Sequence, residues 1–144
     1  MATLELDGFE SLEDAFRRIS EIPFDVTAEA LDGMAEVAAQ KIRAQGEGMG
    51  VRDLESDVHI LDRIKRNKAK QTPGGGSETV TFSGSRSRGK TRTRNAEIAF
   101  VNEYGKRGQA ARPFIGLAMT QHEDEIQKPA EKILGDWIEH NFQR

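Results

Sequence analysis

Apolar residues recur every three or four positions near the start of the chain, and this spacing predicts two amphipathic helices. The apolar stripe of the first helix consists of Phe9, Leu12, Phe16 and Ile19. The stripe of the second helix is richer in small residues and consists of Val26, Ala30, Leu31, Met34, Val37, Ala38 and Ile42. Because alanine side chains are short, we expect another helix to approach the second one closely. The alternate glycines Gly46, Gly48 and Gly50 are expected to end it.

In the middle of the chain the pattern changes to the alternation that is typical of strands. Residues 78–82 alternate and are mostly of β-favouring types. The turn sequence Pro73-Gly-Gly-Gly76 precedes them, and Val58, Ile60, Leu61 and Ile64 can line a partner strand on its other side. We therefore predict a β-hairpin, although the pattern between residues 53 and 64 fits either a strand or a helix.

Residues 84–94 carry a positive charge at every second position and no apolar side chain. The five charged residues are Arg86, Arg88, Lys90, Arg92 and Arg94. A segment without apolar residues cannot build a core, so we predict a projecting basic loop. If it were extended, all five side chains would point to the same side. The pattern predicts contact with phosphates or with an acidic partner surface, and a solvated loop is an equally good interpretation.

Asn95 and Gly105 bracket a short apolar segment and predict a helix from Ala96 to Tyr104, since Asn is a good N-cap and Gly a good residue after a helix end. A strand is the alternative, because the same residues also alternate. A loop follows, and Pro113 stands near the first position of the next helix, where its missing N–H costs nothing.

The end of the chain predicts a long helix from Pro113 onward. Its apolar stripe consists of Ile115, Met119, His122, Ile126, Ile133, Trp137, Ile138 and Phe142. Pro129 removes one backbone donor and clashes with the preceding turn, so we expect a kink or break near Lys128.

Together these elements predict an α+β fold in a single domain, residues 1–144. It contains two N-terminal amphipathic helices, a β-hairpin or small antiparallel sheet with a basic loop, a short helix, and a long C-terminal helix kinked near Pro129. Apolar residues make up 36% of the chain and charged residues 31%, so we expect either extended helical surfaces or faces that are buried only when copies assemble. The net charge of −3 argues against a general nucleic-acid binder, but the middle of the chain is basic and both ends are acidic.

The sequence offers little support for catalysis. His59, His122 and His140 are far apart, and there is no cysteine and no Gly-x-Ser-x-Gly sequence. The glycines at 46–50 follow a helix and lack Gly-Lys-Ser/Thr, so they do not indicate a phosphate loop. We expect no catalytic residue, no cofactor and no metal. No apolar run is long enough to cross a bilayer and the start of the chain lacks a signal-peptide pattern, so no membrane partner is expected.

The stretch from Gly84 to Ala118 resembles the tail-completion, or head–tail joining, proteins of long-tailed bacteriophages (the gene-product-ten-like tail-component family). The resemblance rests on Ala96-Glu-Ile-Ala-Phe-Val-Asn-Glu-Tyr-Gly105, on Ala111-Arg-Pro-Phe114 with Ala118, and on the basic lead-in Gly84-Ser-Arg-Ser-Arg-Gly. The opening Leu6-Asp-Gly-Phe-Glu-Ser-Leu12 also fits. Around Asp53 to Ile64 the chain departs from many relatives, which have a small, regular helix-to-strand turn where this chain has a longer acidic link.

The resemblance implies a structural virion protein, made in the bacterial host cytoplasm, at the neck of the particle. Such a minor tail protein completes the head-proximal end of the tail and joins it to the capsid connector, as a ring around the DNA channel that is usually six-fold like the tail. Its implied partners are copies of itself, neighbouring neck and tail proteins (tail terminator, tail tube or head-completion protein) and, non-specifically, genomic DNA. The alternative function is a module that binds the DNA backbone through the basic loop, weakly and in a salt-sensitive way.

Eight residues of this stretch are our candidates for shaping the subunit and its contacts. They are Phe100, Asn102, Glu103, Tyr104, Gly105, Arg112, Pro113 and Phe114. One specific hypothesis is a partly shielded ion pair between Glu103 and Arg112. An equally good interpretation is that these residues only lock the short helix against the last one.

Overall fold

A computed structural model describes residues 21–51, 59–73 and 75–142, with only the backbone described at Arg88 and Phe142. Its helices are α1 (Phe24–Gly48), α2 (Asn95–Tyr104), α3 (Phe114–Gln121) and α4 (Glu123–Phe142), with a 3-10 helix at Ile60–Arg63. Its strands are β1 (Ile64–Arg66), β2 (Lys70–Thr72), β3 (Gly75–Ser77), β4 (Val80–Phe82), β5 (Ser85–Arg88) and β6 (Thr91–Arg94). The predicted α+β class is confirmed. The predicted first helix, with Phe9 to Ile19, lies outside the described residues.

The predicted second helix is α1, and its end is a Schellman motif. The N–H of Val51 donates to the carbonyl of Gly46 at 2.9 Å, and that of Gly50 to Glu47 at 3.2 Å. Gly50 has a φ of 71°, a left-handed conformation that favours glycine. The helix therefore passes through Gly46, where a Cβ would come within 2.6 Å of the Leu61 side chain. Because Gly46 has no side chain, Leu61 and Phe114 of the core can pack close to the helix backbone.

Residues 64–82 form the predicted β-hairpin. β1 pairs antiparallel with β4, Ile64 opposite Phe82, and nearer the turn β2 pairs with β3 in the same sense. The open question about residues 53–64 is answered for its described part, because Ile60–Arg63 is a 3-10 helix and the strand begins only at Ile64. Residues 52–58 lie outside the described part of the chain.

The core lies where the C-terminal half of α1 meets the 3-10 helix, α2, α3 and β4. It consists of Ile42, Val51, Ile60, Leu61, Ala99, Phe114 and Ala118. Phe114 is completely buried, and the ring of Phe82 meets it edge-on at 6.0 Å between centroids. An aromatic ring buried in this way contributes both apolar area and a geometry-dependent ring contact. The Phe of the Ala-Arg-Pro-Phe sequence is therefore a core residue.

The predicted long C-terminal helix is confirmed as α4, but its interruption is not where Pro129 led us to expect it. Of the expected kink or break near Lys128, a break is excluded, because α4 continues through Pro129 and the helical run is interrupted at His122. The physical reason is packing against α1. A Cβ on Gly33 would be 2.7 Å from the Cβ of Pro129, so the proline ring occupies the space that this glycine leaves. This contact offsets the backbone hydrogen bond that Pro129 cannot make.

An ion pair fixes the α3–α4 junction to α1. The Nζ of Lys41 lies 2.6 Å from Oε2 of Glu125, and Nδ1 of His122 lies 3.3 Å from its Oε1. The hydrogen bond with Lys41, followed by the one with His122, holds the pKa of Glu125 below its ordinary value. Of the three consecutive acidic residues 123–125, Glu125 therefore forms its ion pair within the subunit.

A cluster of charges joins α1 to the hairpin on the other side. Nη1 of Arg66 on β1 donates to Oδ1 of Asp32 at 3.1 Å and to its main-chain carbonyl at 3.2 Å. Glu78, between β3 and β4, lies beside this pair. Its burial, the charge of Asp32 and a hydrogen bond with Asp32 raise its pKa above the ordinary value of 4.5, against the attraction of Arg66. The cluster therefore carries more negative charge than one arginine balances.

The Gly33–Pro129 contact predicts that alanine at position 33 destabilises the fold. In a free helix, alanine is better than glycine by about 1 kcal/mol. Here the added Cβ meets the rigid ring of Pro129, so Gly33→Ala should lower the free energy of unfolding by about 1–3 kcal/mol, as overpacking does. Gly48→Ala in the same helix is the matched control, since a Cβ there has no neighbour within 4 Å. Urea unfolding measures both, and a Gly33→Ala variant as stable as the control would contradict the packing described.

The Glu78 cluster predicts a specific pH dependence. A carboxyl whose folded pKa is raised stabilises the fold fully below its unfolded pKa, and this contribution is lost as pH rises through the folded pKa. Glu78→Gln should therefore be more stable than the parent at neutral pH, and the difference should disappear as pH falls toward 4.5. The measurement is urea unfolding across that pH range, with Glu139→Gln on the exposed side of α4 as control. A gain that is the same at every pH would show that charge at position 78 is not the cause.

Candidate functional site

The candidate site begins with the turn that joins α2 to α3. Gly105 ends α2 with a φ of 76°, and its N–H donates to the carbonyl of Val101 at 2.8 Å. A Cβ at this position would lie 2.8 Å from the backbone nitrogen of Ala111 and 2.9 Å from the carbonyl oxygen of Gln109. Lys106 and Gln109 close the following loop by exchanging two backbone hydrogen bonds. The predicted role of Gly105 as the residue after the helix end is confirmed, and the turn leaves no room for a side chain there.

Glu103 caps the next helix from α2. Its Oε2 accepts a hydrogen bond from the N–H of Ile115 and its Oε1 from the N–H of Gly116, both at 2.8 Å. Pro113 precedes the first helical residue, and its carbonyl accepts from Leu117 at 3.0 Å. The carboxylate therefore meets two of the N–H groups that a helix start leaves without a partner, and its charge faces the positive end of the helix dipole.

Arg112 and Asn102 connect this turn to α1. The guanidinium Nη1 of Arg112 donates to the carbonyl of Gly50 at 2.9 Å, and its backbone N–H to the carbonyl of Asn102 at 2.5 Å. Asn102 is buried and donates from Nδ2 to the carbonyl of Ile98. The predicted ion pair between Glu103 and Arg112 is wrong. The carboxylate of Glu103 accepts hydrogen bonds from N–H groups of α3, and the guanidinium of Arg112 donates to the carbonyl of Gly50 at the end of α1.

Two aromatic side chains on α2 are left in solvent. Phe100 is 62% exposed and Tyr104 69%, and their ring centroids lie 4.7 Å apart at an angle of 48°. They are one helical turn apart, so their side chains are neighbours on the same face. Ala99 and Asn102 are buried, so α2 uses a different face against the core. We call Phe100 and Tyr104 the aromatic pair.

The basic segment is a β-hairpin, and the predicted loop is wrong. β5 and β6 pair antiparallel with Arg86 opposite Thr93 and Ser87 opposite Arg92. Gly89, with a φ of 61°, and Lys90 form the turn between them. Residues that pair directly share a face, so Arg86 lies on one face of the hairpin and Arg92 on the other. The expectation that all five charges point to one side fails because the turn folds the segment back on itself.

Several of the hairpin's arginines make contacts within the chain. Arg86 donates from Nε to Oδ1 of Asn95 at 2.9 Å, and Arg94 from Nε to Oε1 of Glu97 at 3.1 Å. Arg92 donates from Nε to the hydroxyl of Ser85. The side chain of Arg88 lies outside what the structure describes, and Lys90 is exposed at the turn. The charges are thus spread around a paired element.

Asn95 does not cap α2 as predicted. It is the first residue of the helix, is 3% exposed, and donates from Nδ2 to the carbonyl of Ser83 at 2.7 Å. Its own N–H donates to the carbonyl of Gly84 at 3.0 Å. Because its Oδ1 also accepts from Arg86, Asn95 ties the base of the basic hairpin to the start of α2. Sequence reasoning assigned it the commonest role of Asn at a helix start and missed this one.

A half-exposed apolar groove of about 360 Å³ lies between α1, β4, α3 and α4, and we call it the α1 groove. Its apolar lining includes Leu31, Met34, Ala38, Val80, Ile115 and Met119, with Glu78 also in its wall. A second groove of about 660 Å³ shares Leu31 and Met34 with it and reaches the start of α1. The sequence placed Met34 and Met119 on apolar stripes but could not show that packing leaves them half open.

Within residues 21–51, 59–73 and 75–142, no group of three or more His, Cys, Asp or Glu side chains could hold a metal ion. In that part of the chain, no helix combines the length and the apolar character needed to cross a bilayer. No protein-family model, curated protein or solved structure matches the chain significantly. The resemblance to phage tail-completion proteins therefore stays a prediction from the sequence, made mainly on the residues between Gly84 and Ala118.

The cap that Glu103 provides predicts a measurable loss of stability when it is removed. Glu103→Ala should cost about 1–2 kcal/mol of unfolding free energy, the usual range for a lost helix cap, and Glu103→Gln should cost less because it keeps one acceptor oxygen. Glu97→Ala is the matched control on the same helix. Its surface pair with Arg94 should contribute less than about 1 kcal/mol. Denaturant unfolding in which both alanine variants lose the same amount would contradict the capping role.

Proposed function

We propose that this protein is a structural subunit of a tailed-phage virion that completes the head-proximal end of the tail and joins it to the capsid, as a ring around the DNA channel. The observation that carries the proposal is the aromatic pair. It lies inside the sequence stretch that resembles tail-completion proteins, and both rings are more than half exposed. Exposed neighbouring aromatic side chains are typical of protein–protein contact surfaces.

The contacts around the aromatic pair supply the rigidity that an assembly subunit needs. Glu103, next to Tyr104 in the chain, is held by two N–H groups of α3, and Gly105 closes a turn without room for a side chain. Arg112 links the same turn to the end of α1. A surface whose backbone is fixed on three sides loses little conformational freedom on binding, which favours assembly.

A ring needs two different patches on each copy that fit one another, with a rotation that closes. The subunit has an apolar groove and an exposed aromatic pair on different elements, as such head-to-tail contacts require. The six-fold number follows from the symmetry of the tail that the ring would complete. Tail terminator, tail tube or head-completion proteins are the neighbours proposed above and below it.

The alternative, a DNA-backbone-binding module, is less well supported. Arg86, Arg92 and Arg94 make hydrogen bonds within the chain, and paired residues place Arg86 and Arg92 on opposite faces of the hairpin. A flat basic strip that follows a row of phosphates would need these charges on one side. We therefore assign the hairpin mainly to contact with neighbouring proteins, with weak and salt-sensitive contact to DNA in the channel.

The proposal predicts a ring that can be seen on tails. Purified protein added to phage tails that lack their own completion protein should appear in negative-stain images as a ring at the head-proximal end, and the tails should then join to DNA-filled heads. Tails alone and heads alone are the controls. A protein that stays monomeric and leaves the tails unchanged at micromolar concentration would overturn the proposed function.

A further inference from the structure

We infer that the ring is closed by Phe100 and Tyr104 of one copy, which dock into the α1 groove of the next copy. The inference rests on the proposed function and adds to it the two surfaces that meet. The partner that the groove binds is a second copy of this chain, because the aromatic pair and the groove match in size, chemistry and charge.

The groove has the chemistry that an aromatic side chain needs. Met34 and Met119 both line it, and Met119 is 41% exposed. Thioether sulfur makes favourable contacts with aromatic rings, and the flexible methionine side chain adapts to the shape of what it binds. The remaining lining is mainly aliphatic, from Leu31, Val80 and Ile115. A volume of about 360 Å³ is within the range of pockets that enclose organic ligands.

The charges next to the two surfaces are opposite in sign. Glu78 lines the groove and Asp32 lies beside it on α1, with Arg66 as their shared cation. On the other surface, Lys106 and Arg107 follow Tyr104 within three residues, and both are exposed. Docking of the aromatic pair would bring these cations toward the acidic rim of the groove. Complementary charge at the edge of an apolar contact fixes orientation and accelerates encounter.

The two surfaces can be used at the same time in one copy. No residue belongs to both, and α2 contributes nothing to the described lining of the groove. Each copy can therefore donate its aromatic pair to one neighbour and receive the pair of another. Such a head-to-tail contact repeats until the rotation closes.

Engineered cysteines test the contact directly, because the natural chain has none. A double variant, Tyr104→Cys with Met34→Cys, should form disulfides between copies under mild oxidation and give a ladder of bands that ends at the ring size. Tyr104→Cys with Glu139→Cys is the matched control, since Glu139 is exposed on α4 and outside the groove. A ladder equally strong in the control, or a product that stops at two copies, would overturn the inference.

Removal of the aromatic rings tests the same contact by another measurement. Phe100→Ser with Tyr104→Ser should leave the melting temperature nearly unchanged, because both rings are mostly exposed, and should raise the protein concentration needed for assembly at least about tenfold, as loss of a binding hot spot does. Met119→Lys should weaken assembly similarly from the groove side. Light scattering and negative-stain images on tails measure the assembly of both variants.

The results separate this inference from the proposed function. Rings on tails that form equally well with the serine variant would keep the function and overturn the inference. Disulfide ladders in solution together with tails that stay bare would support the contact and overturn the assignment to the tail.

Discussion

The arrangement of the second half of the chain depends on the carboxylate of Glu103 at the start of α3. A helix start leaves N–H groups without partners, and here two of them are met by a side chain from the preceding helix. That contact holds the start of α3 against α2, and Phe114, the first residue of α3, lies beside it in the core. Phe114 in turn packs against Gly46 of α1 and Phe82 of β4. The hydrogen bonds of Glu103 thus stabilise the helix start from which Phe114 makes its apolar contacts.

The same alignment decides which face of α2 is left outside. The carbonyl of Asn102 accepts a hydrogen bond from the backbone N–H of Arg112, and Ala99, with Ile98 beside it, packs in the core, so these residues form the inward face of α2. A large ring could not replace Ala99 without displacing the core around Phe114. In the described part of the chain, Phe100 and Tyr104 lie mostly exposed on the opposite side, and each is in ring contact with the other. Their exposure follows from the way the helix is anchored.

The elements that the sequence predicted well are those with local causes. The C-terminal end of α2 follows from Gly105, and the turn of the first hairpin follows from Pro73 and its glycines, because turn residues act through their own backbone. The partners of Glu103 and Arg112 could not be predicted, since each is chosen by groups that only the folded chain brings near. Pro129 shows the same limit in another form. Its local effect predicts a kink or break, and the helix continues without a break because Gly33 leaves space for the proline ring. For residues 84–94, the sequence showed the alternation of charge. It did not show that the two halves of the segment pair with each other, which places the charges on both faces of a hairpin.

This difference between local and tertiary causes separates residues that hold the shape from residues available for contact. Glu103, Gly105 and Phe114 each have a structural reason for their identity that lies inside the subunit. Phe100 and Tyr104 differ from them, because in the described part of the chain both rings are more than half exposed and the ring contact that they make is with each other. Exposed aromatic surface also carries a cost, since it promotes unspecific association when nothing covers it. We therefore propose that a partner covers the two rings beside this rigid turn, and the cover that we infer is the half-open groove lined by Met34 and Met119 on another copy of the same chain.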